Sequence, residues 1–375
     1  MIYFDNAATT LVDKDILNTY NELVIKYYAN PSSSHSFGQE ANRVLDLARG
    51  QILSYLKMNE HAVIFTSGAT ESNNLAIKGY ALRNKALGKH LIVTKVEHAS
   101  VLEAARDLEN NFGFEVTYLD VNEDGAVEIE TLNKAIKKDT ILVSIMAVNN
   151  EIGTVNQIKR IGETLSKHEK IAFHVDASQA IGKVQIDYSN VDLLTISGHK
   201  INGLKGSGAL IKRRTIQLQA LNSGGGQEAN LRSGTNDVAM AGALAKAVRL
   251  AVENFQDHYD YVSNLSISLR DWISKHSDIC ELNSHQLVNP YIVNFSLLTK
   301  KASVVVEALS REGIMVSSVS ACSSRHEPFS YVVKAIGKDD IRSKNTIRVS
   351  FSNDNRIEEV EIFTKALEKI LGEIR

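Results

Sequence analysis

Between about residue 60 and residue 215 the chain alternates short apolar runs with amphipathic stretches of helical period. The apolar runs fall at 62–66, 90–94, 115–119, 141–148, 171–175, 192–197 and 208–211. Helical patterns fill the intervals at 71–87, 100–110, 129–137 and 158–169. Continuous apolar strands separated by helices predict an α/β fold with a mostly parallel seven-stranded sheet between helices. Ligands of such sheets gather outside the carboxyl ends of the strands. Beyond residue 238 the rhythm changes. A long helical pattern at 240–275 reads as a connector. Strand patterns at 291–296 and 346–351 and helical ones at 301–311 and 356–371 then predict a smaller α+β domain. The expected division is a large domain at 13–255 and a small one made of 1–12 and 256–375.

Composition narrows this picture without redirecting it. The 375 residues are 43% hydrophobic and 23% charged, ordinary for a globular protein with a sizeable core. A net charge of −2 gives no broad attraction to nucleic acid or anionic membrane. Met1-Ile2-Tyr3-Phe4-Asp5 has no basic leader, and no run approaches the roughly 20 apolar residues of a membrane span. A cytoplasmic location is expected. The two cysteines, Cys280 and Cys322, form no C-x-x-C pair, so no thiolate metal site is predicted.

Polar motifs recur where apolar runs end. Ser197-Gly198-His199-Lys200 follows one run, and Asp176 closes an earlier one. A lysine amine and a buried carboxylate are the two groups that pyridoxal phosphate (PLP) requires. The amine holds its aldehyde as a Schiff base, and the anion keeps its ring nitrogen protonated. Alone, Lys200 reads first as a loop lysine, and Asp176 equally as a helix cap or half of a buried ion pair. Ser197-x-x-Lys200 also matches a serine acyl-enzyme pattern, but no companion motif follows. Gly198 to Gly203 begins like a P-loop, yet Leu204 stands where lysine is needed. Ser67-Gly68-Ala69-Thr70 is a small-residue turn into a helix, either a phosphate cradle or an ordinary capped start. His98 closes another run and fits a ring-stacking, proton-moving imidazole or a satisfied core histidine. Arg348 alternates with Ile347 and Val349, so it either grips a substrate carboxylate or faces solvent. Cys322 sits among small polar residues near Arg325 and His326, as an accessible thiol does, while Cys280 reads as structural.

Together these residues resemble the group I cysteine desulfurases, the NifS/IscS-like branch of the class-V aminotransferases within the fold-type I PLP enzymes. The likeness runs nearly end to end. It passes through Tyr3-Phe4-Asp5-Asn6-Ala7-Ala8-Thr9-Thr10, Asn30-Pro31-Ser32-Ser33-Ser34-His35, Thr66-Ser67-Gly68-Ala69-Thr70-Glu71-Ser72, Glu97-His98 and Val148-Asn149-Asn150-Glu151-Ile152-Gly153. It continues through His174-Val175-Asp176-Ala177, Ser197-Gly198-His199-Lys200, Arg232-Ser233-Gly234-Thr235 and Ser320-Ala321-Cys322.

The resemblance implies that Lys200 carries PLP, Asp176 pairs with the pyridine nitrogen, and His98 stacks on the ring. Gln179 and Asn150 lie near the ring hydroxyl, and Ala69, Thr70, Ser197 and His199 bind the phosphate. Thr235 reaches the phosphate of a neighbouring subunit, which implies a homodimer. Arg348 and Asn30 hold the carboxylate of L-cysteine. Cys322 takes the sulfur as a persulfide and passes it to an acceptor protein, in iron–sulfur cluster assembly or tRNA thiolation. A selenocysteine lyase, another class-V enzyme or a non-catalytic scaffold would share most of these residues. The chain departs from the family pattern at Leu11, Leu204 and Ser223-Gly224-Gly225-Gly226-Gln227-Glu228. It is also one residue shorter than some members between Cys322 and Pro328.

Overall fold

The structure, a computed structural model, describes residues 1–284, 288–318 and 329–373. Cys322 lies outside the described residues. The strands, in chain order, begin with β1 (Ile2–Tyr3). Then come β2 (His61–Thr66), β3 (His90–Thr94), β4 (Glu115–Leu119), β5 (Thr140–Ser144), β6 (Ala172–Asp176), β7 (Leu193–Ser197) and β8 (Gly208–Arg213). These seven form one sheet in the order β2-β8-β7-β6-β5-β3-β4. Only β8 runs against its neighbours, and every other pairing is parallel. The α/β class and the mostly parallel seven-stranded sheet are as expected from sequence.

The chain leaves β3 toward β4 on one side and returns to β5 on the other. That reversal opens a crevice above the carboxyl ends of β3 and β5. β5, β6 and β7 are buried along their whole length, because helices cover both faces. Each fully buried Leu, Ile or Val there contributes about 1.5–3 kcal/mol relative to exposure. Ser144, His174 and Thr195 pair with one another across these strands. His174 contacts Ser144 Oγ at 2.8 Å and Thr195 Oγ1 at 3.1 Å. Burial pushes its pKa down to about 4, so the ring is neutral at pH 7.

The second sheet holds β9 (Cys280–Leu282), β10 (Ile292–Leu297), β12 (Ser317–Ser318) and β13 (Thr346–Ser350), in the order β12-β13-β10-β9. β11 (Ile314–Met315) pairs with β1. Phe4 joins the core of this part, with Phe295, Phe351 and Phe363. A separate core beneath the large sheet runs from Ile16 to Val248.

Several expectations are corrected. The apolar run 141–148 leaves the ladder after Ser144. Residues 145–148 remain buried, and Ala147 still donates to the Asp176 carbonyl. Apolarity reports burial there rather than strand. The connector is two helices, Val238–Glu253 and Phe255–Lys275, broken at Asn254. The first packs on the helices Lys14–Lys26 and Ser36–Tyr55, and the second on the C-terminal helix Ile357–Glu373. Those two N-terminal helices were not read from the sequence, although Asp13 caps the first by accepting from Asp15 N and Ile16 N. The helical pattern at 71–87 is three pieces, Ala69–Asn74, a π-helical turn Leu75–Gly79, and Tyr80–Asn84.

Candidate active site

A cavity of about 1500 Å³ opens at the strand ends. The turn after β2 supplies Ala69 and Thr70, the end of β3 supplies His98, and the turn after β5 supplies Asn150. Asp176 and Gln179 come from the end of β6, and Ser197, His199 and Lys200 from the end of β7. Arg348 enters from β13, and Ala7 and Ala8 from the N-terminal arm. Ten residues singled out by sequence thus meet in one cavity. Asn30 does not line it, and instead sits exposed in a turn, where its Oδ1 accepts from Ser32 N at 2.9 Å. Thr235 is also exposed and outside it.

Asp176 is 6% exposed, and its carboxylate is held at both ends. Ser178 N donates to Oδ1 at 2.9 Å, and Asn73 Nδ2 donates to Oδ2 at 2.8 Å. Lys200 Nζ donates to the carbonyls of Ala7 and Ala8 at 2.6 and 2.7 Å. Gln179 Nε2 donates to the same Ala7 carbonyl at 2.8 Å, so the arm closes the floor of the site. His98 caps the helix Ala99–Phe112 through Nδ1. One face of its ring opens to the cavity, yet the surrounding wall desolvates it and pushes its pKa down. Desolvation, helped by Lys200, Lys205 and Lys183, takes His199 down to about 4.

Arg348 lies in a strand buried on both faces, so neither sequence reading was complete. Ile347 and Val349 enter the small core, while the guanidinium reaches the turn after β5 and the N-terminal arm. It donates to the Asn150 carbonyl at 2.9 Å and pairs with Asp5 at 2.8 Å. Its Nε is buried without a partner among the described residues. The arginine is thereby aimed into the cavity with donor capacity to spare.

On the residues that line the cavity, three further buried atoms lack partners among the described residues: Ser197 Oγ, Ser178 Oγ and Asn150 Oδ1. Orphaned polar atoms are costly unless a ligand satisfies them. Ser197 Oγ sits beside the turn at Gly68-Ala69-Thr70, where backbone N–H groups begin a helix. Gly68 has φ +149°, a conformation that a side chain disfavours. β8 comes so close that a Cβ on Gly208 would lie 2.6 Å from Gly68 Cα. Donors, an amine and an opposing carboxylate therefore fit a phosphorylated pyridine aldehyde.

The comparisons agree with this geometry. The sequence profile of the aminotransferase class-V family matches residues 2–363. A "NifS/IcsS protein homolog" of Lactobacillus delbrueckii subsp. bulgaricus is 40% identical, over 99% of this chain and 97% of its own. Cysteine desulfurase IscS of Neisseria meningitidis is 39% identical, over 100% of this chain and 93% of its own. The chain belongs to the NifS/IscS-like cysteine desulfurases of the class-V aminotransferase family. A solved "NIFS-LIKE PROTEIN" superposes on this desulfurase with a TM-score of 0.91 at 34% identity, covering all of both chains. The family works with PLP. Among the described residues of the desulfurase, no helix is long and apolar enough to cross a membrane.

Side chains that contact the site and that sequence reading passed over are Asn73, Ser100, Lys183 and Asp5. Asn73 lies one residue beyond the Thr66–Ser72 motif, and its hydrogen bond is to a partner 103 positions away. Lys183 is buried, donates to Gln179 Oε1 at 3.0 Å, and sits 5.9 Å above the Tyr291 ring. Burial first, then Lys200 and Arg348, push its pKa down to about 7. The unfolded chain holds that proton up to a pKa of about 10.4. Between these values the unfolded state binds more protons, so stability rises with pH. In cofactor-free protein, Lys183→Met is expected to flatten the rise of unfolding free energy between about pH 7 and 10, measured by urea titration.

Asp176→Asn tests the anchored carboxylate. Asparagine has one oxygen for two incoming N–H groups, so its amide meets either Asn73 Nδ2 or Ser178 N as a second donor. A stability loss of about 1–3 kcal/mol is expected in urea unfolding, with a fall in kcat on the order of 10²–10³.

Proposed function

We propose that this cysteine desulfurase converts L-cysteine to L-alanine with Lys200 as its PLP-bearing lysine and Cys322 as its sulfur acceptor. The observation that carries the reading is the meeting of Lys200, Asp176 and His98 in one cavity beside the orphaned Ser197 Oγ. When bound, PLP supplies an electron sink that stabilises negative charge on the carbon atoms of the attached substrate.

The chain's residues do the rest. Ala69, Thr70, Ser197 and His199 hold the phosphate, and Asn150 and Gln179 orient the ring hydroxyl. Asp176, fixed by Ser178 N and Asn73, keeps a proton on the ring nitrogen. Arg348, steadied by Asp5 and the Asn150 carbonyl, grips the substrate carboxylate. The Lys200 amine, released when substrate takes its place, removes a proton from the substrate Cα. The Cys322 thiolate then attacks the substrate sulfur. An S–S bond forms, the Cβ–S bond breaks, and its electron pair stays with the carbon skeleton. Protonated, that skeleton leaves as alanine, and the outer sulfur remains on Cys322 as a persulfide for an acceptor protein in iron–sulfur assembly or tRNA thiolation. The exposure of Thr235 outside its own cavity supports a homodimer in which it completes the phosphate site of the second subunit.

Purified protein is expected to show a visible absorption band that shifts with L-cysteine, and to release alanine and, with a thiol reductant, sulfide in equal amounts. A protein that stays colourless after addition of PLP would overturn the reading, as would alanine formed without sulfur transfer.

A further inference from the structure

A line of polar groups runs behind the cavity wall from His98 to Asp176. His98 Nδ1 lies 2.9 Å from Ser100 Oγ. Ser100 Oγ lies 2.9 Å from Asn73 Nδ2, and that same nitrogen lies 2.8 Å from Asp176 Oδ2. The direction of every hydrogen bond in the line is determined. Ser100 N can only donate, and it approaches His98 Nδ1 at 3.2 Å, so Nδ1 carries no hydrogen. The Asn73 amide cannot be reversed, because its oxygen would then face the Asp176 carboxylate. Its two hydrogens go to Asp176 and to Ser100 Oγ. The Ser100 hydroxyl, having accepted there, has its own hydrogen left for His98 Nδ1.

We infer that Asn73 and Ser100 are positioning residues that fix His98 in the neutral tautomer with its hydrogen on Nε2, by anchoring the ring to Asp176. Asn73 is fully buried, and its Oδ1 has no partner among the described residues. Its carbonyl is therefore left unsatisfied while its two N–H groups are both used. Toward the cavity His98 offers a donor and not a base. That leaves proton abstraction to Lys200, a consequence that rests on the function proposed above. The same network disfavours the imidazolium, since a hydrogen on Nδ1 would meet the Ser100 N–H. The charges facing the ring are Asp176 at the end of β6, which favours protonation, and Lys200 after β7, which opposes it. Neighbouring Glu97 is buried and turned away toward Thr94 Oγ1 and Met146 N. Arg348 faces from across the cavity.

The test is ¹⁵N NMR of the histidine rings in labelled protein, with the His98 signals assigned by their loss in His98→Gln. It is run on cofactor-free and PLP-loaded protein. A protein that never takes PLP, which would overturn the proposed function, still reports its His98 tautomer. The wild type is expected to show the Nε2–H form through neutral pH. Ser100→Ala removes the hydroxyl donor to Nδ1 but keeps the backbone N–H, so it is expected to raise the His98 pKa by roughly half to one unit and to shift the Nδ1 resonance while the Nε2–H form persists. Asn73→Ala should act in the same direction, because the freed Ser100 hydroxyl can then accept from Nδ1–H. Ser100→Thr should restore the wild-type signals. An Nδ1–H ring or an imidazolium in wild type at pH 7.5 would overturn the inference. So would Ser100→Ala with unchanged ring shifts. If Asn73→Ala does not fold, Ser100→Ala and Ser100→Thr decide it alone.

Discussion

Lys200→Ala is expected to lower L-cysteine turnover by more than about 10⁴-fold, since general acid–base work alone contributes about 10²–10⁴ and the covalent attachment is lost as well. Lys200 is the amine at the end of β7, and in cofactor-free protein it is held by the Ala7 and Ala8 carbonyls. Alanine there removes both the anchor for the PLP aldehyde and the base positioned beside the substrate Cα. The phosphate and ring contacts remain, so PLP still binds, but dialysis removes it more readily. Two measurements separate these effects. The visible spectrum reports attachment, and steady-state alanine formation reports the chemistry. Partial recovery by a small primary amine such as methylamine would mark the missing group as a base. Turnover within tenfold of wild type would mean that another residue carries the reaction.

Cys322→Ala is expected to cut sulfide release by about 10³-fold or more while leaving the visible band and its response to L-cysteine intact. The two halves of that outcome follow from where the chemistry sits. Lys200, Asp176, His98 and Arg348 line one cavity, and in the proposed function they bind and activate the substrate. The thiol acts afterwards, on the substrate sulfur, and nothing in PLP binding depends on it. Rapid-mixing absorbance with L-cysteine should therefore be unchanged in the variant, while persulfide labelling and sulfide both vanish. A variant that releases sulfide at the wild-type rate would reject direct attack by Cys322 and favour elimination of the sulfur without a protein persulfide.

The positions of the strands were largely legible, because β3, β5, β6 and β7 carry buried apolar runs whose ends are punctuated by polar motifs. The errors have physical sources. Residues 145–148 are as buried as any strand but leave the ladder, and apolarity cannot distinguish the two. The break at Asn254 falls inside one helical period and is visible only because the two helices pack on different cores. The helices Lys14–Lys26 and Ser36–Tyr55 precede the alternation of strand and helix, although the second buries Ala41, Leu45, Ala48 and Ile52 at helical spacing and the first is capped by Asp13, so the signal for both was present in the sequence.

By itself, the sequence determined the α/β class and the family, and it offered the lysine, aspartate, histidine and arginine on which the proposed PLP site rests, since those depend on residue type and order. Only the tertiary structure decided which of them meet, because that depends on contacts between residues far apart in the chain. It joined Arg348 to Asp5 and to the Asn150 carbonyl, aiming a buried guanidinium that alternation had left between substrate and solvent. It put Lys183 under Gln179, where loss of water rather than any motif shifts an amine toward neutrality. It also tied His98 to Asp176 through Ser100 and Asn73, and with them the tautomer of the ring. Spacing along a chain carries no information about the direction of a hydrogen bond. That direction is set by which donors and acceptors burial leaves facing one another.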